Sequence, residues 1–254
     1  MTKQALLGRW LSVISSLILV LVGLVMFAGP AVASPGEESA GVLAIQLWAG
    51  NESEFPPDGL PQLVETGEAQ PERPLRYDLP VQQRLLQEAQ WVLSGMIYGW
   101  SFRYVPANSA RGYEETWELE LLHEIPWSDD GLSVRQTWAE DDILHAIIDY
   151  RMDNEQQGRR RSWASRRMLI MQGAGEAPYF GGQDSVLQRR LAVEDAMRMA
   201  VREYLRARHS TPPRQVDGRL VLDAAPRIVV RAGAYTASVR VKVLFQDLRR
   251  YEVF

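Results

Sequence analysis

The chain has 254 residues, 28 Lys plus Arg against 32 Asp plus Glu, and a formal net charge of −4. Its 46% hydrophobic content is too high for a disordered chain. With no cysteine it has no disulfide framework, Cys-ligated zinc, thiol nucleophile or lipid-modified N-terminal Cys.

Residues 1–33 read as a signal peptide. Lys3 and Arg9 are the only charges before Glu37, and Leu11 to Ala28 is an uncharged apolar run of 18 residues. Gly29-Pro30 breaks the run, and Ala31-Val32-Ala33 supplies a small-x-small cleavage site. Cleavage is expected after Ala33. The alternative is an uncleaved membrane anchor, since a span starts near about 17 apolar residues. Either reading exports the rest of the chain, to the periplasm or the cell exterior.

Residues 34–79 read as a Pro-rich acidic arm. Pro35, Pro56, Pro57, Pro61, Pro71 and Pro74 lie in it, and Pro80 follows. Proline supplies no amide donor and disfavours helix at the residue before it. The region reads as an arm that wraps the domain or as a linker from the membrane; one apolar run, Val42 to Trp48, fits a strand and favours wrapping.

A helix is predicted from Pro80 to about Gly99. Val81, Leu85, Ala89, Val92, Leu93, Met96 and Ile97 make one stripe on a 3.6-residue period. From Trp100 to Met152 the period becomes two. Trp117, Leu119 and Leu121 alternate with Glu118 and Glu120. Val134, Gln136 and Trp138 form a second set. Leu144, Ala146, Ile148, Tyr150 and Met152 form a third. Short connections predict an antiparallel meander. A further strand is expected near Trp163–Gln172, then a loop over Gly173–Gly182.

A second helix is predicted from about Asp184 to Arg208, with Val193, Ala196, Met197, Ala200, Val201 and Tyr204 on its buried stripe. Pro212-Pro213 ends it. Three strands finish the chain. The clearest has Tyr235, Ala237, Val239, Val241, Val243 and Phe245 on one face. The order predicts an α+β fold. Two helix-plus-antiparallel-sheet units, 80–156 and 157–254, pack as layers, as separate units or as one domain. A degenerate duplication has no residue-level repeat behind it.

No catalytic set emerges. His123 and Glu124 are adjacent, so on a strand they point to opposite faces. His145 and Asp149 share a strand face but lie about 13 Å apart at about 3.3 Å per residue. Zinc needs three or four ligands, so no metal or cofactor is expected. Asp129-Asp130-Gly131 and Asp141-Asp142 fit turns. Gly173-Ala174-Gly175-Glu176 lacks the Gly-Lys-Ser/Thr ending of a phosphate loop, and no Gly-x-Ser-x-Gly elbow is present. Phe254 suggests an outer-membrane barrel strand, but Arg250 and Glu252 would face lipid. The tryptophans after the N-terminal segment end at Trp163 and read as an aromatic core, with Trp100 and Trp127, beside turns, as surface exceptions.

The small net charge conceals a division. Residues 34–156 hold 23 acidic and 7 basic residues, a net of −16, whereas residues 157–254 hold 9 acidic and 19 basic residues, a net of +10. The basic residues cluster at Arg159-Arg160-Arg161, Arg166-Arg167 and Arg189-Arg190. Three readings compete. The halves can be mutual partners, the basic half can dock on an anionic envelope surface, or the arginines can be a solvated face. The expected function is an exported, non-catalytic envelope protein that binds or scaffolds. Arg159, Arg160, Arg161, Arg166, Arg167, Trp100 and Trp127 are its candidate partner-binding residues. An envelope protein, anionic lipid or wall polymer is the expected partner. Nucleic acid is not expected, and the membrane is met only through an uncleaved N-terminal segment. The alternative is an envelope polysaccharide hydrolase, with carboxylates among Glu118, Glu120, Asp141 and Asp142.

Overall fold

Strands that alternate apolar and polar residues carry one apolar face each, and that face needs a cover. The computed structural model describes residues 41–50, 80–127, 129–164, 167–179 and 185–251. The expected signal peptide, and the Pro-rich arm apart from residues 41–50, lie outside the described residues. In chain order the elements are β1 (Val42–Gly50), α1 (Val81–Ile97), β2 (Trp100–Val105), β3 (Thr116–Leu121), β4 (Leu132–Glu140), β5 (Ile143–Arg151) and α2 (Asn154–Ser162). There follow β6 (Leu169–Pro178), α3 (Val186–Arg208), β7 (Gln215–Leu222), β8 (Arg227–Arg231) and β9 (Ala234–Arg249). The fold is α+β with antiparallel sheets.

One sheet has the order β1-β5-β4. The other runs β3-β2-β7-β9-β6, with β8 beside β9. The expected meander over 100–152 is therefore divided between two sheets. β2 pairs β3 on one side, but on the other it pairs β7, with Tyr104 opposite Val216. The reason lies in the connection after β3. Ile125 is fully buried; its N–H donates to Ser94 Oγ at 2.9 Å, and its carbonyl accepts from Gln90 Nε2. This plug on α1 carries the chain from one sheet to the other. The six-stranded sheet thus takes strands from both sides of residue 156.

α1 is buried on more faces than its stripe predicts, with every residue from Glu88 to Ile97 buried. It touches β1 and β5 of one sheet and β7 of the other. A helix covered all round belongs in a core. Its Gly95 leaves the space that the Trp100 ring fills: a Cβ there would lie 1.8 Å from that ring.

α3 packs on β6 and β9. Here the expected loop over 173–182 is corrected, because Gly173 to Pro178 is strand, paired with Val239 to Ala234 of β9. Glycine carries little strand signal, yet the strand needs it. A Cβ on Gly173 would lie 2.1 Å from the Ala196 carbonyl oxygen, and one on Gly175 would lie 2.1 Å from the Ala196 nitrogen. The strand expected at Trp163–Gln172 begins only at Leu169. Trp163 caps α2 and donates from Nε1 to the Ile97 carbonyl at 3.1 Å.

β4 and β5 are joined by Asp141 (φ 47°) and Asp142 (φ 61°), flanked by the pair Glu140 and Ile143. Two residues at positive φ make a type I′ hairpin turn, which favours Asn-Gly. Asp141→Asn with Asp142→Gly should stabilise the protein by about 1 kcal/mol. A rise in the urea midpoint at unchanged slope checks this.

Candidate functional site

Two places collect the polar groups of interest. The first is built around α2. The Asp153 side chain accepts from the Gln156 N–H at 2.8 Å, and Gln156 Oε1 accepts from the Asp153 N–H at 3.0 Å, a capping box. The Gln156 amide nitrogen also donates to Tyr150 Oη at 2.7 Å and to Tyr98 Oη at 3.0 Å. Tyr150 donates to Asp129 Oδ2 at 3.1 Å, and Tyr98 meets the His123 ring edge-on at 4.6 Å. Burial raises the Tyr150 hydroxyl well above its ordinary pKa; the Gln156 hydrogen bond opposes this and Asp129 adds to it. The phenol therefore stays protonated at neutral pH and can donate.

One network thus ties α2 to the segment 122–131, which Ile125 and Asp129 pin to the core. Between those pins Trp127 stands 51% exposed, with Leu122 exposed nearby in the chain. The last turn of α2 carries Arg159, Arg160 and Arg161. Arg159 and Arg161 are exposed and Arg160 is half-buried; Arg167 is exposed just beyond, and Arg166 lies outside the described residues. Arg159 reaches Glu155 only at 4.0 Å, with both side chains largely exposed, a pair that contributes little in water. Trp100 does not join this face. It is 2% exposed, packed over Gly95 with its ring 5.4 Å from Trp91, so its expected surface position is corrected: β2 turns that side chain inward onto α1. The capping pattern Asp-x-x-Gln at 153–156 was the signal for α2, which has no apolar stripe.

The second place is a cleft of about 370 Å³ where the β2–β3 connection meets the end of α3. Tyr104, Pro106, Ala107 and Glu115 line one side; Arg202, Leu205, Arg206, His209, Ser210, Pro212 and Pro213 line the other. Glu115 organises its floor. Tyr104 donates to Oε1 at 2.6 Å, while Arg198 and Arg202 (3.4 Å) reach Oε2. Arg198 also holds Asp195 Oδ1 at 2.6 Å. Burial raises the Tyr104 hydroxyl well above its ordinary pKa, and the hydrogen bond and charge of Glu115 add to it. The phenol is a fixed donor to Glu115.

Other candidate groups are dispersed. Glu118 and Glu120 lie on edge strand β3, Glu118 paired with Arg103 at 3.2 Å. Asp141 and Asp142 form the hairpin tip of the other sheet. His123 follows β3, His145 stacks on Trp138 at 5.0 Å on the three-stranded sheet, and His209 borders the cleft. Among the described residues no group of three His, Asp or Glu side chains is placed to hold a metal ion. Trp117 stacks on Phe102 at 5.2 Å, part of the aromatic core.

The charge division has a partial physical answer. Glu88 meets Arg189 at 2.9 Å in the interior, and Glu115 meets Arg198 and Arg202. Acidic residues of the first half thus partner arginines of the second. Arg159 and Arg161 of α2 face outward.

A family model matches residues 32–251, and the chain belongs to that family. The chain is similar to an uncharacterized protein of Treponema pallidum (strain Nichols), 26% identical over 176 residues that span 69% of this chain and 72% of the relative. No solved structure matches. Among the described residues no helix is long and apolar enough to cross a membrane.

Proposed function

We propose that this is an exported cell-envelope protein with a non-catalytic binding role, and that its Arg-rich half docks on an anionic lipid surface. Export rests on the N-terminal sequence. The observations that carry the docking are the exposure of Arg159 and Arg161 on the last turn of α2 and of Trp127, whose neighbour in the chain Asp129 is tied to the first turn of α2 by the Gln156–Tyr150–Asp129 network. Arginine binds phosphate through a planar fork. Tryptophan suits the interface because its ring is apolar and its N–H is polar. Each basic residue near an anionic leaflet contributes about 1 kcal/mol. The acidic and basic halves meet in the six-stranded sheet: pairs within the protein neutralise part of the +10, and α2 presents Arg159 and Arg161 to the surface.

Sedimentation with vesicles tests this. The protein should pellet with phosphatidylglycerol-containing vesicles at low salt, and not with neutral phosphatidylcholine ones. Replacing Arg159, Arg160 and Arg161 by Gln should weaken binding by at least about tenfold. Equal sedimentation of variant and parent would overturn the assignment. Pelleting with wall sacculi but not with anionic vesicles would move the partner to wall polymer.

A further inference from the structure

The cleft at the end of α3 is separate from the α2 surface, and its lining is specific. Five of its walls are apolar or nearly so: Pro106, Ala107, Leu205, Pro212 and Pro213. Its polar lining is rich in donors. Arg202 and Arg206 sit one helical turn apart and share a face of α3, and the cap residue His209 and Ser210 continue the row. The one carboxylate in the lining, Glu115, already takes Tyr104, Arg198 and Arg202. Its charge is answered from within the protein. Arg206 contacts Glu203 at 3.2 Å, with side chains 67% and 56% exposed. Such a pair is weak and exchanges readily for a bidentate anion.

We infer that this cleft binds a small molecule with an oxyanion head, carboxylate or phosphate, and a compact body. The head is held by the Arg206 guanidinium and the His209–Ser210 edge. The body rests on Pro106, Leu205 and the Pro212-Pro213 wall, and Arg202, fixed by Glu115, borders the site. The carbonyls ending α3 oppose an anion with a partial charge of about half an electron. The Arg206 guanidinium, a full positive charge beside the head once it turns from Glu203, outweighs that. A volume of about 370 Å³ falls within the range of small-molecule sites, and an apolar wall with a few convergent polar groups is their usual build.

The test is an NMR titration of the protein with inorganic phosphate and, separately, with D-glucuronate, against sodium chloride at matched ionic strength. The Arg206 Nε–Hε and His209 ring signals should shift saturably with at least one oxyanion and not with chloride, with Kd in the low millimolar range, about −4 kcal/mol. Which oxyanion saturates identifies the head group. Arg206→Gln should weaken binding by about tenfold or more, and the triple Arg159, Arg160 and Arg161 to Gln variant should bind as the parent does. The absence of saturable shifts with both oxyanions, or unchanged binding in Arg206→Gln, overturns the site. Neither outcome bears on vesicle docking, which the α2 variants test by themselves.

Discussion

Gly175→Val should cost at least about 4 kcal/mol, in the exceptional range for a single substitution, or leave no folded protein. At this position β6 lies directly against the backbone of α3. A Cβ would sit 2.1 Å from the Ala196 nitrogen and 2.5 Å from the Asp195 carbonyl carbon. Neither is the end of a flexible side chain. To make room α3 must lift off β6 and β9, and its buried face, Ala192, Val193, Ala196, Met197, Ala200 and Val201, loses contact with the sheet. Burying one such aliphatic side chain is worth about 1.5–3 kcal/mol for the larger residues, so even partial separation is expensive. Gly158 in α2 is the control: nothing lies within 4 Å of its would-be Cβ, and Gly158→Ala should stabilise by about 0.5–1 kcal/mol. Chemical denaturation of both variants checks the pair. A Gly175→Val protein within about 1 kcal/mol of the parent would refute the close packing.

The second large effect is expected at Glu88. Its carboxylate accepts from Arg189 Nη2 at 3.1 Å and its other oxygen lies 2.9 Å from Nε, an ion pair with both residues almost fully buried, 2% and 1% exposed. The Arg189 guanidinium also lies 4.2 Å from the centre of the Trp48 ring, a cation–π contact. One side chain of α3 thereby joins α1 and β1. Glu88→Ala removes the carboxylate that pairs with the buried guanidinium and should cost about 3–5 kcal/mol. Glu88→Gln keeps the shape and one acceptor, so its cost should be smaller. Thermal unfolding at neutral pH orders the three proteins. A Glu88→Ala protein that melts with the parent would mean that the pair does not hold the helices together.

These two sites differ in how far they could be read from residues alone. The 3.6-residue stripe of α3 and the period-two face of β9, Tyr235 to Val243, both appear in the sequence as in the structure, because a repeated apolar spacing carries its geometry with it. The Asp141-Asp142 turn was equally legible, since turn chemistry is local. α2 was missed: nine residues with three consecutive arginines show no apolar stripe, and only the Asp153–Gln156 box announced a helix. The site residues divide in the same way. Arg159 and Arg161 stand on the surface as their charge implies, and Trp127 remains exposed. Trp100 went inward because Gly95, on another element, left room for its ring.

Thus the sequence alone determined the α+β class, the principal helices, the buried faces of β5 and β9 and the division of charge between the halves. All of these are properties of neighbouring residues and their spacing. Tertiary structure decided the rest. β2 pairs with β7 and Glu88 with Arg189, 101 residues away, and no local pattern encodes which distant partner a side chain meets. Glycines 173 and 175 became strand because a helix backbone lies against them, and Glu115 became the floor of a donor-lined cleft because α3 brings Arg198 and Arg202 to it. Whether a charge is satisfied inside the protein or faces outward depends on what the fold places within a few ångströms of it. That is why Arg189 is held inside the protein while Arg159 and Arg161 on α2 face outward.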